Sequence, residues 1–121
     1  MAKRILVADD ETGIIKVITA RLTSQGYEVM VALDGEEALR LTREKKPDLI
    51  LLDYSMPKIK GDEVCRQIKN DPELKHIPVV FITASPGFVG HNVMQTTQAD
   101  DFLIKPFRST DLIKKIRQYV G

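Results

Sequence analysis

Short, unbroken apolar runs recur along this chain, each ending in polar residues and each followed by a stretch with helical periodicity. Runs of this kind suit strands covered on both faces, and that cover comes most directly from helices crossing between parallel strands. Ile5 to Ala8, Tyr27 to Ala32, Asp48 to Asp53, Val79 to Thr83 and Phe102 to Ile104 read as five strands. A helix is predicted from Gly13 to about Gln25, with Ile14, Ile18 and Leu22 on one side, Thr12 at its start and Gly26 at its close. Asp34 and Glu37 form a capping pair for a second helix to about Lys45, and Pro47 marks its exit. The third helix runs from about Asp62 to Asn70 on Val64, Cys65 and Ile68. Pro86, Gly87 and Gly90 delay the fourth, which starts as late as Val89 to Asn92. Ser109 precedes the last helix, whose stripe is Leu112, Ile113, Ile116, Tyr119 and Val120. The order is (βα)5, an α/β doubly wound parallel sheet.

The linkers are too short for a domain boundary, so residues 1–121 are expected to form a single domain. Such a domain buries roughly two-thirds of its unfolded surface and needs neither disulfide nor structural metal to fold. Lys plus Arg total 18 against 17 for Asp plus Glu, which argues against direct nucleic-acid binding through a broad basic surface. Cys65 is the one cysteine, so no internal disulfide is possible. The run from Ile5 to Ala8 is too short for a signal segment or a membrane span. A soluble, cytoplasmic protein without a membrane partner is expected.

Function is sought where the strands stop, because doubly wound sheets bind ligands at the carboxyl ends of their strands. Asp9 and Asp10 follow the first strand, Asp53 ends the third, Thr83 ends the fourth and Lys105 follows the fifth. Three carboxylates brought together repel one another unless a divalent cation or the Lys105 ammonium offsets their charge. Oxygen ligands favour Mg²⁺ or Mn²⁺ over zinc, and neither His76 nor His91 lies at a strand end, so a Mg²⁺ site is predicted. Mg²⁺ with mixed protein and water ligands is the usual partner of a phosphoryl group, which makes Asp53 a candidate nucleophile toward phosphorus. Lys105 and the Thr83 hydroxyl are then candidates to pair with the phosphoryl oxygens. No Gly-x4-Gly-Lys-Ser/Thr loop, no Gly-x-Gly-x2-Gly run after the first strand and no Gly-x-Ser-x-Gly elbow exists, which disfavours nucleotide and serine-triad chemistry.

From about Lys3 onward, these motifs resemble the receiver domain of two-component response regulators, the flavodoxin-like fold of the chemotaxis regulator. The carriers are Asp9-Asp10, the turn Leu52-Asp53-Tyr54-Ser55-Met56-Pro57, Thr83-Ala84 and Lys105-Pro106-Phe107. The resemblance implies strand order 2-1-3-4-5, phosphorylation of Asp53, Asp10 as a direct Mg²⁺ ligand, Asp9 acting mainly through water, and the Ser55 carbonyl as a further ligand. It also implies Thr83 and Phe102 as switch residues and a commonly cis bond before Pro106. The implied donor is a sensor histidine kinase or histidine phosphotransfer protein, and the implied output is a downstream target protein read through helix four, strand five and helix five. Such a chain is a phosphoacceptor with self-catalysed phosphorylation and dephosphorylation rather than a turnover enzyme, and a monomer or weak phosphorylation-dependent dimer.

The chain departs from the family pattern in its fourth helix, where Pro86, Gly87 and Gly90 are poor for the first turns, and at three further positions. Lys60 stands where an acid usually precedes Gly61, Gln98 stands where glycine is common before Ala99-Asp100, and Phe102 lacks a tyrosine hydroxyl. Singly, Asp9, Asp10 and Asp53 also read as strand-end acids or caps, Thr83 as a satisfied hydroxyl and Phe102 as permanent core. Two rival functions remain at this level. One is a phosphorylation-independent interaction module with the receiver fold; the other is an acid-nucleophile phosphatase, which wants an aspartate where Ser55 stands.

Overall fold

The computed structural model describes residues 2–84 and 93–121. Five strands, β1 (Arg4–Ala8), β2 (Glu28–Ala32), β3 (Leu49–Asp53), β4 (Val79–Thr83) and β5 (Asp101–Ile104), form one sheet in the order β2-β1-β3-β4-β5. Every neighbouring pair is parallel. Between and after the strands lie α1 (Thr12–Ser24), α2 (Gly35–Lys45), α3 (Gly61–Lys69), α4 (Val93–Thr97) and α5 (Ser109–Val120). This is the doubly wound α/β fold expected from the alternation of elements, with the flavodoxin-like strand order that the resemblance implied. Among the described residues, no helix is long and apolar enough to cross a membrane.

Strand residues alternate between two cores, because successive side chains of a strand point to opposite faces. Ile5, Val7, Leu49, Leu51, Val80, Ile82 and Leu103 pack with α1 and α5 residues, including Ile18, Leu22, Leu112 and Ile116. Leu6, Ala8, Ile50, Leu52, Val79 and Phe81 pack on the other face with Ala38 and Leu39 of α2 and Val64, Cys65 and Ile68 of α3. All residues of β3 and β4 are buried, which explains runs with no polar alternation.

The same alternation positions the strand ends. Asp9 continues the series Ile5, Val7; Asp53 continues Leu49, Leu51; and Lys105 continues Leu103. All three therefore extend the α1/α5 face, whereas Thr83 continues Val79 and Phe81 toward the other. Register ties the rows together: Asp53 lies opposite Ile82, and Thr83 opposite Ile104.

Local details correct several expectations. The Asp34 side chain does cap α2, accepting from the Glu37 N–H at 2.8 Å. Thr12 does not cap α1: Glu11 holds the cap position, without a side-chain hydrogen bond, and Thr12 is already helical. Likewise Arg108 precedes α5 and Ser109 is its first residue. On α1 it is Ile15, with Ile18 and Leu22, that is buried, while Ile14 is half-buried toward the rim. The delayed start between Val89 and Asn92, with Pro86, Gly87, Gly90 and His91, lies outside the described residues. Gln98 adopts φ 61°, the left-handed region, which gives a physical reason for glycine's frequency there. Asp100 beside it ties α3 to β4, accepting from the Val79 N–H at 2.8 Å and pairing with Lys69 at 2.7 Å.

Candidate phosphoacceptor and metal site

β1, β3 and β5 end side by side with β4 between the last two, so acids and a lysine far apart in the chain meet at one edge. Asp9, Asp10 and Asp53 each present a carboxylate oxygen, and these three atoms lie within 4.8 Å of one another. Asp9 is fully buried and Asp53 is 5% exposed, while Asp10 is exposed. Lys105 Nζ reaches across the sheet to Asp9 Oδ2 at 3.0 Å and Glu11 Oε1 at 3.2 Å, with Asp53 Oδ1 at 3.8 Å. The Lys105-Pro106 peptide bond is cis.

Each carboxylate has its own environment. Asp9 is committed on both oxygens: Oδ2 to Lys105, and Oδ1 accepting from the Glu11 N–H at 2.9 Å. Asp10 is exposed and lines the cleft over Asp53, whereas Asp9 is fully buried. Asp53 Oδ1 accepts from the Ser55 N–H at 3.4 Å. A cleft of about 440 Å³ opens over Asp53 and is lined by Asp10, Tyr54, Ser55, Thr83, Ala84 and Lys105.

The electrostatics follow from burial and like charge. Burial, and then the negative charge of Asp9, push the Asp53 carboxyl up to about 7, against the opposing pull of Lys105. For Lys105, burial alone would weaken the ammonium, but its hydrogen bond to Asp9 and the charges of Asp53 and Asp9 hold its pKa above the ordinary value. Three carboxylates, those of Asp9, Glu11 and Asp53, therefore face one ammonium at this edge, and a fourth, that of Asp10, stands within 4.8 Å of Asp9 and Asp53. That excess of negative oxygen, with Asp10 open to the cleft, fits a hard divalent cation such as Mg²⁺.

Of the residues singled out from sequence, Asp9, Asp10, Asp53, Ser55, Thr83 and Lys105 come together. Phe102 does not line the cleft: it is half-buried, in register with Phe81, and packs on the α2/α3 face. His76 is exposed and precedes β4, at the opposite end of the strands. Cys65 is buried, its thiol pushed up to about 11 mainly by that burial, and it is a core residue. Lys60 is exposed at the start of α3 without a side-chain capping bond. Sequence reasoning missed Glu11 as a partner of Lys105; its signal was the uninterrupted acidic run Asp9-Asp10-Glu11.

Comparison with known proteins places this geometry in context. The family model for the response regulator receiver domain matches residues 5–117. Response regulator PleD of Caulobacter vibrioides is 43% identical over 117 residues, covering 97% of this chain and 26% of PleD. DNA-binding response regulator MtrA of Mycobacterium tuberculosis is 36% identical over 117 residues, covering 97% of this chain and 50% of MtrA. The chain thus spans about a quarter to a half of the length of these curated relatives. Among solved structures, a putative response regulator from Chloroflexus aurantiacus superposes with a TM-score of 0.92 at 28% identity, covering 99% of this chain and 98% of the other. The receiver domain of sensor histidine kinase PA1611 from Pseudomonas aeruginosa, described with a magnesium ion coordinated in its active site cleft, gives a TM-score of 0.91 at 28% identity, covering 100% and 99%.

Proposed function

The chain belongs to the response regulator receiver domain family, and from that premise we propose that it is a phosphoacceptor switch in which Asp53 takes a phosphoryl group from a phosphohistidine. The observation that carries the reading is the convergence of Asp9, Asp10 and Asp53 at an open cleft, with Lys105 Nζ beside Asp9 and Asp53. Asp10, Asp53 and the Ser55 carbonyl would hold Mg²⁺, with Asp9 behind them. When bound, the cation supplies positive charge to phosphoryl oxygens.

Asp53 attacks phosphorus with a carboxylate oxygen. A P–O bond forms as the P–N bond to the donor imidazole breaks, and the imidazole nitrogen keeps the electron pair. Lys105 follows the new charge, exchanging part of its pairing with Asp9 and Glu11 for a phosphoryl oxygen. The Thr83 hydroxyl donates to another, and Ala84 leaves room beside it. Water later attacks phosphorus, breaking the P–O bond to Asp53 and releasing phosphate.

The donor is a sensor histidine kinase or histidine phosphotransfer protein acting in the cytoplasm. A groove of about 510 Å³ beside Lys105, lined by Ile14, Val17, Pro106 and Phe107, gives that partner an apolar footing next to the acceptor. Movement of Thr83 and Lys105 biases the packing of Phe102 and, through it, the surface of α4, β5 and α5 read by a downstream target. Residues 1–121 act in this scheme as one receiver unit, a monomer or a weak phosphorylation-dependent dimer.

The test is intact mass after incubation with acetyl phosphate and Mg²⁺. A gain of about 80 Da is expected in the wild type, and none in Asp53→Asn or in EDTA. No Asp53-dependent gain would leave the fold as a phosphorylation-independent interaction module.

A further inference from the structure

The loop from Tyr54 to Lys60 carries Ser55 and joins the end of β3 to α3. Its inner side is anchored by buried Met56 and by Gly61, whose N–H donates to the Tyr54 carbonyl at 2.9 Å. Its outer side rests on the start of α2, an element that contributes no residue to the cleft. The Gly35 N–H donates to the Pro57 carbonyl at 3.3 Å. A Cβ at Gly35 would stand 1.9 Å from the Ile59 carbonyl oxygen and 2.7 Å from its carbon. Gly35 has no positive φ, so it is the loop, not the helix backbone, that leaves no room for a side chain. Asp34 works on both sides of this joint: Oδ1 caps α2, and Oδ2 lies 3.5 Å from Lys58 Nζ. Lys58 itself is held at φ 68°, a conformation that a free loop would leave.

We propose that Gly35, assisted by Asp34, is a positioning residue for the metal site: the start of α2 is the backstop that holds the Ser55 segment against Asp53. This rests on the reading that Asp53 and the Ser55 carbonyl hold Mg²⁺. A methyl group at residue 35 meets backbone atoms of Ile59, which cannot rotate aside, so the loop itself must shift by an ångström or so. Because α2 would otherwise gain from alanine, a loss in Gly35→Ala reports the contact and not helix propensity.

Mg²⁺ titration by calorimetry, with thermal melting in EDTA, separates the roles. Gly35→Ala is expected to weaken Mg²⁺ binding at least tenfold, and Asp34→Asn, which keeps a capping oxygen but not the charge facing Lys58, two- to threefold. Ile116→Val, a mild core change on the α1/α5 face, serves as the stability control and should leave Mg²⁺ affinity within twofold. Gly35→Ala binding within twofold of wild type overturns the proposal, as does an equal loss in Ile116→Val. Should Gly35→Ala not fold, amide exchange in the wild type decides. The Gly35 N–H is expected to exchange at least tenfold more slowly with Mg²⁺ bound, since its acceptor is a loop carbonyl, and an unchanged rate overturns the proposal. Absence of Asp53-dependent Mg²⁺ binding in the wild type is a separate outcome, which removes the metal-site reading and this inference with it.

Discussion

Replacing Asp53 by asparagine should make the metal-free protein more stable, although it removes the proposed reactive group. An ordinary aspartate ionises near 3.8, whereas burial and Asp9 raise Asp53 to about 7 in the folded chain. Between these values the folded state binds more protons than the unfolded one, so wild-type stability falls as pH rises. At about 1.4 kcal/mol per pH unit, the span amounts to an upper limit of about 4 kcal/mol, absent below about pH 4 and complete above about pH 7. The asparagine amide keeps an oxygen for the Ser55 N–H but has a desolvation cost of its own, so the expected gain at pH 8 is about 2–4 kcal/mol. For a domain of this size, that is roughly 8–15 °C in melting temperature. The assay is thermal and urea unfolding of both proteins in EDTA at pH 5 and pH 8. The gain should be clearly larger at pH 8, and saturating Mg²⁺ should narrow or reverse it, because the cation takes the place of the proton only in the wild type. Equal differences at the two pH values, or a less stable Asp53→Asn at pH 8, would refute the assignment of a strained carboxylate.

Lys105→Met should cost about 3 kcal/mol in urea unfolding without metal, because it strands fully buried Asp9; in an Asp9→Asn background the cost should fall below about 1 kcal/mol. Asp10→Asn, at an exposed position, should leave metal-free stability within about 0.5 kcal/mol yet weaken Mg²⁺ binding by about tenfold or more, read by calorimetry. Gln98→Gly should raise stability by about 1 kcal/mol in the same unfolding assay, since it relieves a side chain at φ 61° on an exposed turn.

The elements were legible because their signals are local. Apolar runs, the Asp34 cap and the helical stripes on α3 and α5 each declare themselves within a few residues, and strand alternation carries Asp9, Asp53 and Lys105 onto one face. Where reading erred, a neighbour one residue away took the role: Glu11 for Thr12, Ile15 for Ile14 and Arg108 for Ser109. The chemistry of the site was legible as a set of residue types at strand ends, and the resemblance implied roles for them, but the environment in which each would play its role was not.

Those roles depend on distance and burial, which sum over residues remote in sequence. Lys105 meets Asp9 across 96 positions, and only the packed sheet makes one acid its buried partner, a second its exposed neighbour and a third a carboxyl raised to about 7. Gly35 reads as an ordinary helix start until the Ile59 carbonyl is seen to fill the place of its Cβ. Periodicity along the chain sets which face a side chain takes. Through-space repulsion, desolvation and steric exclusion set what that side chain does there, and these exist only once the chain has closed on itself.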